Sequence, residues 1–263
     1  MKLIVLLTDF GWKDGYAGIL KGVIWSIAPG TQISDLTHEI APQDIRQGAL
    51  ALGRAIPYFP AGTIFLAVVD PGVGTKRRPI AARIGDLYYV APDNGLITLP
   101  LQNAARKGQA VEVVHLIRPQ FWLPVVSSVF HGRDIFAPAA AYLANGTPLA
   151  EMGERIQDPV ELDFPDPIRI KHGWRGEILH IDSFGNLGTN LRGEHLQGRG
   201  QIEVHIGQQQ IRGLVHAYGE GTTGQLVTLI DSSGALAISA VNSSAERALA
   251  AKLGDPVEVW FVT

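Results

Sequence analysis

The sequence predicts a protein of two domains, in which an α/β domain is followed by a smaller all-β domain. In the first half, apolar runs typical of buried strands alternate with segments whose apolar residues recur at helical spacing. This pattern ends near residue 150, and the prolines between residues 159 and 167 are typical of a linker. Beyond them, short apolar runs separated by turn residues favour a small barrel. We therefore expect an α/β domain over residues 1–153, a linker over 154–168 and a barrel-like domain over 169–263.

The elements of the first domain predict a mostly parallel sheet with flanking helices. The run Leu3–Leu7 is continuously apolar, as expected of a strand that is covered on both faces. A helix should begin near Asp14 and end at Pro29-Gly30. The same criteria predict strands at 33–36, 63–69, 80–84, 87–91 and 111–116, and helices at 44–56, 96–105 and 134–143. Because strands alternate with helices along the chain, we expect crossover connections between parallel neighbours.

The second domain shows little helical periodicity. Residues 202–206 alternate between apolar and polar side chains, so one face of that strand should be solvated. The predicted elements are strands at 176–181, 201–206, 226–230, 235–238 and 257–262, with one short helix at 244–253. Short strands with frequent turns favour an all-β, barrel-like domain.

The composition excludes several classes of protein. A net charge of −3, from 22 basic and 25 acidic residues, gives no basic surface for a nucleic-acid backbone. The absence of cysteine excludes disulfides, thiolate metal sites and cysteine nucleophiles. No apolar run approaches the ~18 residues of a membrane span, and the first residues lack a signal-peptide pattern, so we expect a cytoplasmic protein. Charged residues are only 18% of the chain, against ~25% on average, which favours burial of surface in an oligomer.

Polar side chains follow two of the predicted strands. Asp9, in TDFG, lies just after the first strand, where ligands bind in open α/β sheets, and could accept a hydrogen bond from a ribose hydroxyl. The alternative is a carboxylate that caps the next helix. Asp70, in VDPGVG, follows a later strand, and Arg77 lies within a few residues of it. The two could form a surface ion pair of little energy, or a carboxylate held ionised in a cleft.

The stretch FHGRD opens a predicted helix. His131 lies between the aromatic Phe130 and Gly132, and a glycine allows a ligand to approach the backbone closely. The alternative is a solvated histidine near the start of a helix. The sequence alone does not separate the two.

Two groups of polar residues stand out in the second domain. Asp182, Phe184 and Asn186 together offer an acceptor, a stacking face and an amide, which would suit an adenine or an amino-acid head group. The alternative is a hairpin rich in aspartate and asparagine. Ser232 and the pair Val241-Asn242 are likewise typical either of turns or of ligand contacts.

Several classes of functional site are disfavoured, because the sequence lacks the other motifs that each of them needs. Asp-Phe-Gly near residue 9 has no room upstream for the other kinase motifs, and no Gly-x-Ser-x-Gly nucleophile elbow occurs. A dinucleotide oxidoreductase would need Gly-x-Gly-x-x-Gly after the first strand. His131 with Asp134, or Asp35 with His38 and Glu39, lacks the spacing of a zinc motif, so we expect no metal.

Taken together, these segments resemble the S-adenosyl-L-methionine hydroxide adenosyltransferases, relatives of the adenosyl-fluoride and adenosyl-chloride synthases. The similar stretches run in family order over nearly the whole chain: LLTDFG, ISDLTHEIAPQDI, VVDPGVGTKRRPI, YVAPDNGLIT, FHGRDIFAP and IDSFGNLGTNL. The resemblance implies hydrolysis of S-adenosyl-L-methionine to adenosine and L-methionine, by in-line attack of water on the ribose 5′ carbon and without a cofactor. It also implies a homotrimer, with substrate held between the first domain of one subunit and the second domain of its neighbour.

The resemblance also assigns residues to the site. It implies an Asp–Arg–His catalytic set at Asp70, Arg77 and His131, in which either Asp70 or His131 takes the proton from water. It places Asp9 on the ribose hydroxyls. The other residues that it implies in contact with substrate are Phe130, Asp182, Phe184, Asn186, Ser232, Val241 and Asn242.

Departures from the halogenating relatives favour water as the nucleophile. Asp70 stands where those enzymes have Tyr, Val73 where they have Thr, and Gly132 where they have a halide-contacting Ser. A carboxylate beside the nucleophile would repel a halide and could orient water instead. The alternatives are a halide-using adenosyl transferase, or a sensor that binds adenosine or S-adenosyl-L-methionine without turnover.

Overall fold

The computed structural model describes residues 2–196 and 201–262. The chain divides into two compact units, Met1–Leu162 and Asp163–Thr263. The division falls inside the segment 154–168 that the sequence marked as a linker. Each unit has its own hydrophobic core.

In the described part of the first unit, the strands form one seven-stranded sheet. Its strands are β1 (Leu3–Thr8), β2 (Gln32–Thr37), β3 (Ile64–Val68), β4 (Pro79–Ile84), β5 (Leu87–Pro92), β6 (Val111–Leu116) and β7 (Gly153–Ile156). The spatial order is β2-β1-β3-β5-β4-β6-β7, with parallel pairing from β2 to β5 and antiparallel pairing from there to β7. Five of these strands therefore run in one direction. The predicted α/β domain with a mostly parallel sheet is confirmed.

Helices cover both faces of this sheet, and the apolar side chains of β1 are buried on both faces. The helices are α1 (Tyr16–Ile27), α2 (Ile45–Ala55), α3 (Thr98–Lys107) and α4 (Ala137–Ala144). Ile4 and Leu6 of β1 pack in the core that includes residues of α1 and α4. Val5 and Leu7 pack in the opposite core, with residues of α2 and α3. Alternate side chains of one strand are thus buried on opposite faces, which is why the strand is continuously apolar.

The second unit is built from antiparallel strands. They are β8 (Ile168–Ile170), β9 (Gly173–Ile181), β10 (Leu187–Arg192), β11 (Gln201–Ile206), β12 (Gln209–Arg212), β13 (Leu226–Ile230), β14 (Ala235–Ala240) and β15 (Pro256–Val262). Over the described residues the order is β12-β11-β15-β9-β10-β14-β13, with β8 paired to β9. Two short helices, α5 (Gly193–Leu196) and α6 (Ala245–Leu249), interrupt the strands. The predicted all-β, barrel-like domain is confirmed.

Four strands and the short helix α5 were not predicted, and the helices expected over 134–143 and 244–253 differ clearly in extent. The strands β7, β8, β10 and β12 were not predicted, and β7 occupies residues assigned to the linker. The helix expected over 134–143 is α4 preceded by a π-helical turn, Gly132–Phe136. The helix expected over 244–253 is only α6, because Ala250 takes a left-handed conformation at φ 49° and ends it. Among the described residues, no helix is long and apolar enough to cross a membrane.

Candidate active site

A pocket of about 350 Å³ lies in the first unit, and it includes residues that follow parallel strands. Asp9 comes directly after β1, and Asp70 comes two residues after β3. The carboxyl ends of parallel strands meet at one edge, where open α/β sheets bind ligands. The pocket is lined by Asp9, Phe10, Tyr16, Gln43, Val68, Asp70, Pro71, Val73, Val129, Phe130, His131 and Gly132.

Asp70 and Arg77 form a buried, two-point ion pair. Two turn hydrogen bonds, Val73 N to Asp70 O and Thr75 N to Gly72 O, reverse the chain and bring Arg77 back to Asp70. Arg77 Nε donates to Asp70 Oδ1 at 3.1 Å, and Arg77 Nη2 donates to Asp70 Oδ2. The side chains are only 6% and 7% exposed, which excludes the surface-pair alternative.

His131 joins this pair through the same guanidinium. Arg77 Nη2 lies 3.1 Å from His131 Nδ1. Because a guanidinium can only donate, Nδ1 must accept, and the neutral ring then carries its proton on Nε2. Burial lowers the pKa of His131, and the nearby positive charge of Arg77 lowers it further. His131 is therefore a neutral imidazole whose Nε2–H is a hydrogen-bond donor.

Burial shifts the pKa of Asp70 in the opposite direction from that of His131. Burial raises the pKa of Asp70 above its usual value of 3.8, and the opposing effects of Arg77, His131 and the Gly72 backbone are smaller. Among the described residues, the buried Nη1 of Arg77 has no hydrogen-bond partner. The guanidinium carbon lies 5.1 Å from the centre of the Phe136 ring. The set thus combines a basic carboxylate, a neutral imidazole and an unused donor.

A widened helical turn presents His131 beside the pocket. His131 directly precedes the π-helical turn Gly132–Phe136, a backbone feature that is frequent at functional sites. A Cβ at Gly132 would lie 3.2 Å from the Phe10 ring, so glycine lets the ring pack against the turn. Phe10, Tyr16 and Phe130 contact one another edge to face, with ring centres 5.3–6.1 Å apart. They give the pocket an aromatic wall.

Asp9 does not cap a helix. The residue before α1 is Gly15, and no side chain caps that helix. Instead, Asp9 Oδ2 accepts a hydrogen bond from the backbone N of Gln43 at 2.8 Å, and both residues line the pocket. Gln43 has φ 68°, an unfavourable backbone conformation for a residue with a side chain. Such strain is frequent at functional sites, and no sequence pattern reveals it.

The turn after β3 also touches the segment that leads to His131. Gly74 has φ 75°, and a Cβ there would lie 2.2 Å from the carbonyl oxygen of Ser128. The buried Asp134 holds this segment from the other side, because its Oδ2 accepts from Ser127 N at 2.8 Å. The turn of Asp70 and the approach to His131 therefore pack directly against each other.

This close approach gives a stability prediction with a matched control. Gly108 also has a left-handed φ, 62°, but a Cβ there would meet nothing within 4 Å. Gly108→Ala is expected to cost about 1 kcal/mol from backbone conformation alone. Gly74→Ala adds a clash with backbone, so its loss of unfolding free energy should be clearly larger. Urea denaturation of both variants tests this, and equal losses would show that the Gly74 contact does not matter.

The second unit has a cavity of about 580 Å³, which includes three of the residues that the sequence singled out. These are Phe184, Asn186 and Asn242, and Tyr218 is a lining residue that the sequence analysis missed. Phe184 is 78% exposed. Such an aromatic side chain is open to contact with a ligand or another surface.

Asp182 organises the loop below this cavity. Its Oδ1 accepts from the backbone N of Phe184 and of Asn186, both at 2.9 Å, and its Oδ2 accepts from Asn186 Nδ2 at 2.8 Å. Such hydrogen bonds within the turn are those expected of a hairpin rich in aspartate and asparagine, the alternative to a ligand site that the sequence left open. Asp182 thereby fixes Phe184 and Asn186 in place.

Besides Asp182, two other predicted contacts lie outside the lining of this cavity. Val241 is 5% exposed and packs with Val227 and Leu229. Ser232 is exposed in the turn between β13 and β14, where Asp231 accepts from Ser233 and Ala235. For both side chains, a role in binding stays a prediction.

The geometry of the first unit defines an α/β protein with a binding pocket at the carboxyl edge of its sheet and a buried Asp–Arg–His set beside it. The chain matches two family models: "SAM hydroxide adenosyltransferase N-terminal domain" over residues 4–153 and "SAM hydroxide adenosyltransferase C-terminal domain" over residues 176–258. The chain therefore belongs to the S-adenosyl-L-methionine hydroxide adenosyltransferase family, as its motifs predicted.

Individual relatives agree with this assignment. A Thermus thermophilus protein named (R)-S-adenosyl-L-methionine hydrolase is 40% identical, over 98% of this chain and 100% of its own length. A fluorinase from an Actinoplanes species is 29% identical over 75% of this chain and 74% of its own. A solved structure of an uncharacterised Thermotoga maritima protein has a TM-score of 0.88 and 37% identity, covering 97% of this chain and 99% of that one.

Proposed function

We propose that this protein hydrolyses S-adenosyl-L-methionine to adenosine and L-methionine. The observation that carries the proposal is the buried Asp70–Arg77–His131 set beside a pocket that also contains Asp9. The full-length similarity to a relative named as a hydrolase of this compound supports it. Because that name specifies the R configuration, we propose the (R) epimer at sulfur as the preferred substrate.

The reaction is a displacement at the ribose 5′ carbon. A water oxygen forms a bond to this carbon while the bond to sulfur breaks, and sulfur takes the electron pair as a neutral thioether. The sulfonium is already a good leaving group, so no acid is required to expel it. Alignment of water opposite the sulfur supplies much of the acceleration. Nothing in this chemistry needs a metal or another cofactor.

Asp70 is the group that takes the proton from the attacking water. Its raised pKa makes it a stronger base than an exposed aspartate, because burial disfavours its charge. His131 is unsuited to the role, since Nδ1 is engaged by Arg77 and the neutral ring already carries a proton on Nε2. The Nε2–H of His131, which lines the pocket, is the donor that orients the water.

The remaining contacts place the rest of the substrate. Asp9 accepts hydrogen bonds from the ribose hydroxyls, and Phe130 forms part of the aromatic wall beside them. In the second unit, the residues that meet the adenine or the methionine part are Asp182, Phe184, Asn186, Ser232, Val241 and Asn242. Asp182 acts chiefly by holding Phe184 and Asn186 in position.

We further propose a cytoplasmic homotrimer in which each site combines the first unit of one subunit with the second unit of its neighbour. Large apolar side chains are exposed at both cavities, and each is incompletely covered within its own unit. Val129 beside the first pocket is 76% exposed, and Phe184 at the second is 78% exposed. Burial of such side chains in an interface is favourable. The substrate is a small molecule of cellular metabolism, so no nucleic acid or membrane partner is invoked.

Product analysis tests the proposed reaction. Purified protein is incubated with each sulfonium epimer in ¹⁸O-labelled water, and the products are separated by chromatography. We expect adenosine with the label on its 5′ hydroxyl, formed faster from the (R) epimer. Absence of adenosine would leave a binding protein without turnover. Preference for the opposite epimer would remove the stereochemical part of the proposal.

The halide alternative is tested in the same assay. Asp70, Val73 and Gly132 all line the first pocket, where an anion would meet a carboxylate and no hydroxyl from Val73 or Gly132. Added fluoride or chloride should therefore yield no halogenated adenosine. Mass spectrometry that detects such a product at a rate near that of hydrolysis would overturn the assignment of water as nucleophile.

The ion pair with Arg77 predicts how the pKa of Asp70 changes when the arginine is replaced. The positive charge of Arg77 lowers the pKa of Asp70, so its removal should raise that pKa further above 3.8. We expect Arg77→Met to move the titration of Asp70 to higher pH, and Arg77→Lys to move it less. Carbon NMR of labelled aspartate follows the titration directly, and a His131→Asn background removes the coupled imidazole. A pKa that stays unchanged or falls would contradict the ion-pair account.

A further inference from the structure

A chain of hydrogen bonds, buried at its inner end, lies next to the first pocket without lining it. Thr8, at the end of β1, and His38, just after β2, are both 0% exposed. Thr8 Oγ1 lies 2.7 Å from His38 Nδ1, and His38 Nε2 lies 2.9 Å from Asp35 Oδ1. Lys21 Nζ donates to Asp35 Oδ2 at 2.6 Å. The chain thus runs from α1 through β2 to the last residue of β1.

The direction of these hydrogen bonds follows from their partners. Burial would raise the pKa of Asp35, but hydrogen bonds from Lys21 and His38 together lower it, so Asp35 is an ionised acceptor. It accepts from His38 Nε2–H, and in the neutral tautomer that carries this proton the free Nδ1 is the acceptor for the Thr8 hydroxyl. Thr8 Oγ1 in turn accepts from the backbone N of Phe10 at 3.2 Å. Each link fixes the orientation of the next.

His38 also holds the far end of the same segment. Its backbone oxygen accepts from the backbone N of Gly11 at 2.7 Å. The Trp12 ring packs edge-on against the imidazole, with ring centres 4.6 Å apart. One residue thus anchors the chain on both sides of Asp9 and Phe10, the two residues of this segment that line the pocket.

We propose that His38 is a positioning residue, which sets Asp9 and the Phe10 ring for substrate through the Thr8 hydroxyl. This inference rests on the proposed function in one respect: it takes the substrate to be the ligand that binds in the first pocket. Displacement of groups that hold a substrate lowers activity steeply, since small errors in alignment are costly. Asp35 and Lys21 fix the imidazole in the tautomer that accepts from Thr8.

Two substitutions of His38 test its two side-chain hydrogen bonds separately. In His38→Asn, the amide oxygen can take the place of Nδ1 and keep the bond to Thr8. In His38→Gln, the longer side chain can reach Asp35 but leaves the Thr8 hydroxyl without its acceptor. We expect His38→Gln to raise KM about tenfold with a smaller change in kcat, and His38→Asn to restore most of the loss.

A double-mutant cycle and a matched control distinguish positioning from general damage. If His38 acts largely through Asp9, then Asp9→Ala combined with His38→Gln should raise KM by clearly less than the product of the two single effects. His205→Gln is the control, because it makes the same substitution at another imidazole that lies beside a carboxylate, 3.2 Å from Glu203, in the second unit. Full additivity in the cycle, or an equal KM effect in the control, would overturn the proposal.

Amide hydrogen exchange gives a readout that needs no turnover. The backbone N–H groups of Phe10 and Gly11 should be protected in the unmodified protein and exchange faster in His38→Gln. Unchanged protection would overturn the positioning role whether or not the protein hydrolyses the sulfonium. Loss of protection in a chain without any hydrolase activity would support the positioning role and overturn only the proposed function.

Discussion

Replacement of Asp70 by alanine is expected to lower kcat by about 10²–10⁴-fold, with little change in KM. The reason is that the proton moves only as water attacks, so the contact matters in the transition state and not in the bound ground state. Asp9→Ala should behave in the opposite way, since the ribose contact proposed for Asp9 would be made in both states and would mainly affect KM. Steady-state kinetics on the two variants separates these roles.

Arg77→Ala and His131→Ala should each cause a similar loss of kcat, and the losses should not add. Arg77 Nη2 contacts both Asp70 and His131, so one break disables the whole arrangement. A double or triple variant should therefore be little slower than the slowest single variant. If all three single variants keep kcat near that of the unmodified enzyme, the assignment of the catalytic set is wrong.

The neighbouring residue provides a matched control for the loss of an arginine. Arg78 also pairs with a buried aspartate, since its Nε donates to Asp93 Oδ2 at 2.7 Å. Neither residue lines the pocket. Arg78→Ala is therefore expected to lower the unfolding temperature and leave kcat unchanged. An equal fall in kcat for Arg77→Ala and Arg78→Ala would indicate that both act through the fold.

Mixing two inactive variants should restore activity if sites are shared between subunits. One partner carries Asp70→Ala in the first unit, and the other carries Phe184→Ala together with Asn242→Ala in the second unit. Random reassembly of a 1:1 mixture would give both intact halves to about one quarter of the sites in a closed ring. We expect roughly that fraction of the unmodified activity, from parents that each have very little.

The controls for this experiment are built into it. Each variant alone, carried through the same dissociation and reassembly, should stay inactive, and light scattering should give three times the mass of one chain. A mixture no more active than the mean of its two parents would exclude shared sites. A monomer with full activity would do the same.

The sequence predicted those parts of the fold that local periodicity encodes. Leu3–Leu7 is continuously apolar because its side chains enter two cores, and the helix after it shows its buried face at Ala17, Leu20 and Ile24. The antiparallel half of the first sheet was not predicted. The two residues Gly85 and Asp86 that join β4 to β5 allow only a hairpin, in which the two strands pair antiparallel.

Strand β10 was missed for a different reason. Its segment LGTNLR is half polar and carries no run of apolar residues. Thr189 is nevertheless buried, because its hydroxyl donates to the backbone oxygen of Leu236 on the neighbouring strand at 2.8 Å. Such a partner lies 47 residues away in the chain and is invisible to a local pattern.

In the candidate site, too, some features could be predicted from the sequence and others could not. Motif resemblance singled out Asp70, Arg77 and His131, which the structure brings into one hydrogen-bonded set. It did not indicate which group is basic, since that depends on burial and on the donor that faces each ring nitrogen. Gln43 was missed because its signal is a backbone angle.

The π-helical turn has a consequence for how this site could be lost. Each residue of a helix rotates the chain by about 100° around the helix axis. Deletion of one residue within Gly132–Phe136 would return the turn to ordinary α-helical pairing. It would also swing the imidazole that precedes the turn away from the guanidinium it now contacts. A single lost codon, with no catalytic side chain altered, would therefore leave a folded protein that could still bind the nucleoside but could no longer direct water to it.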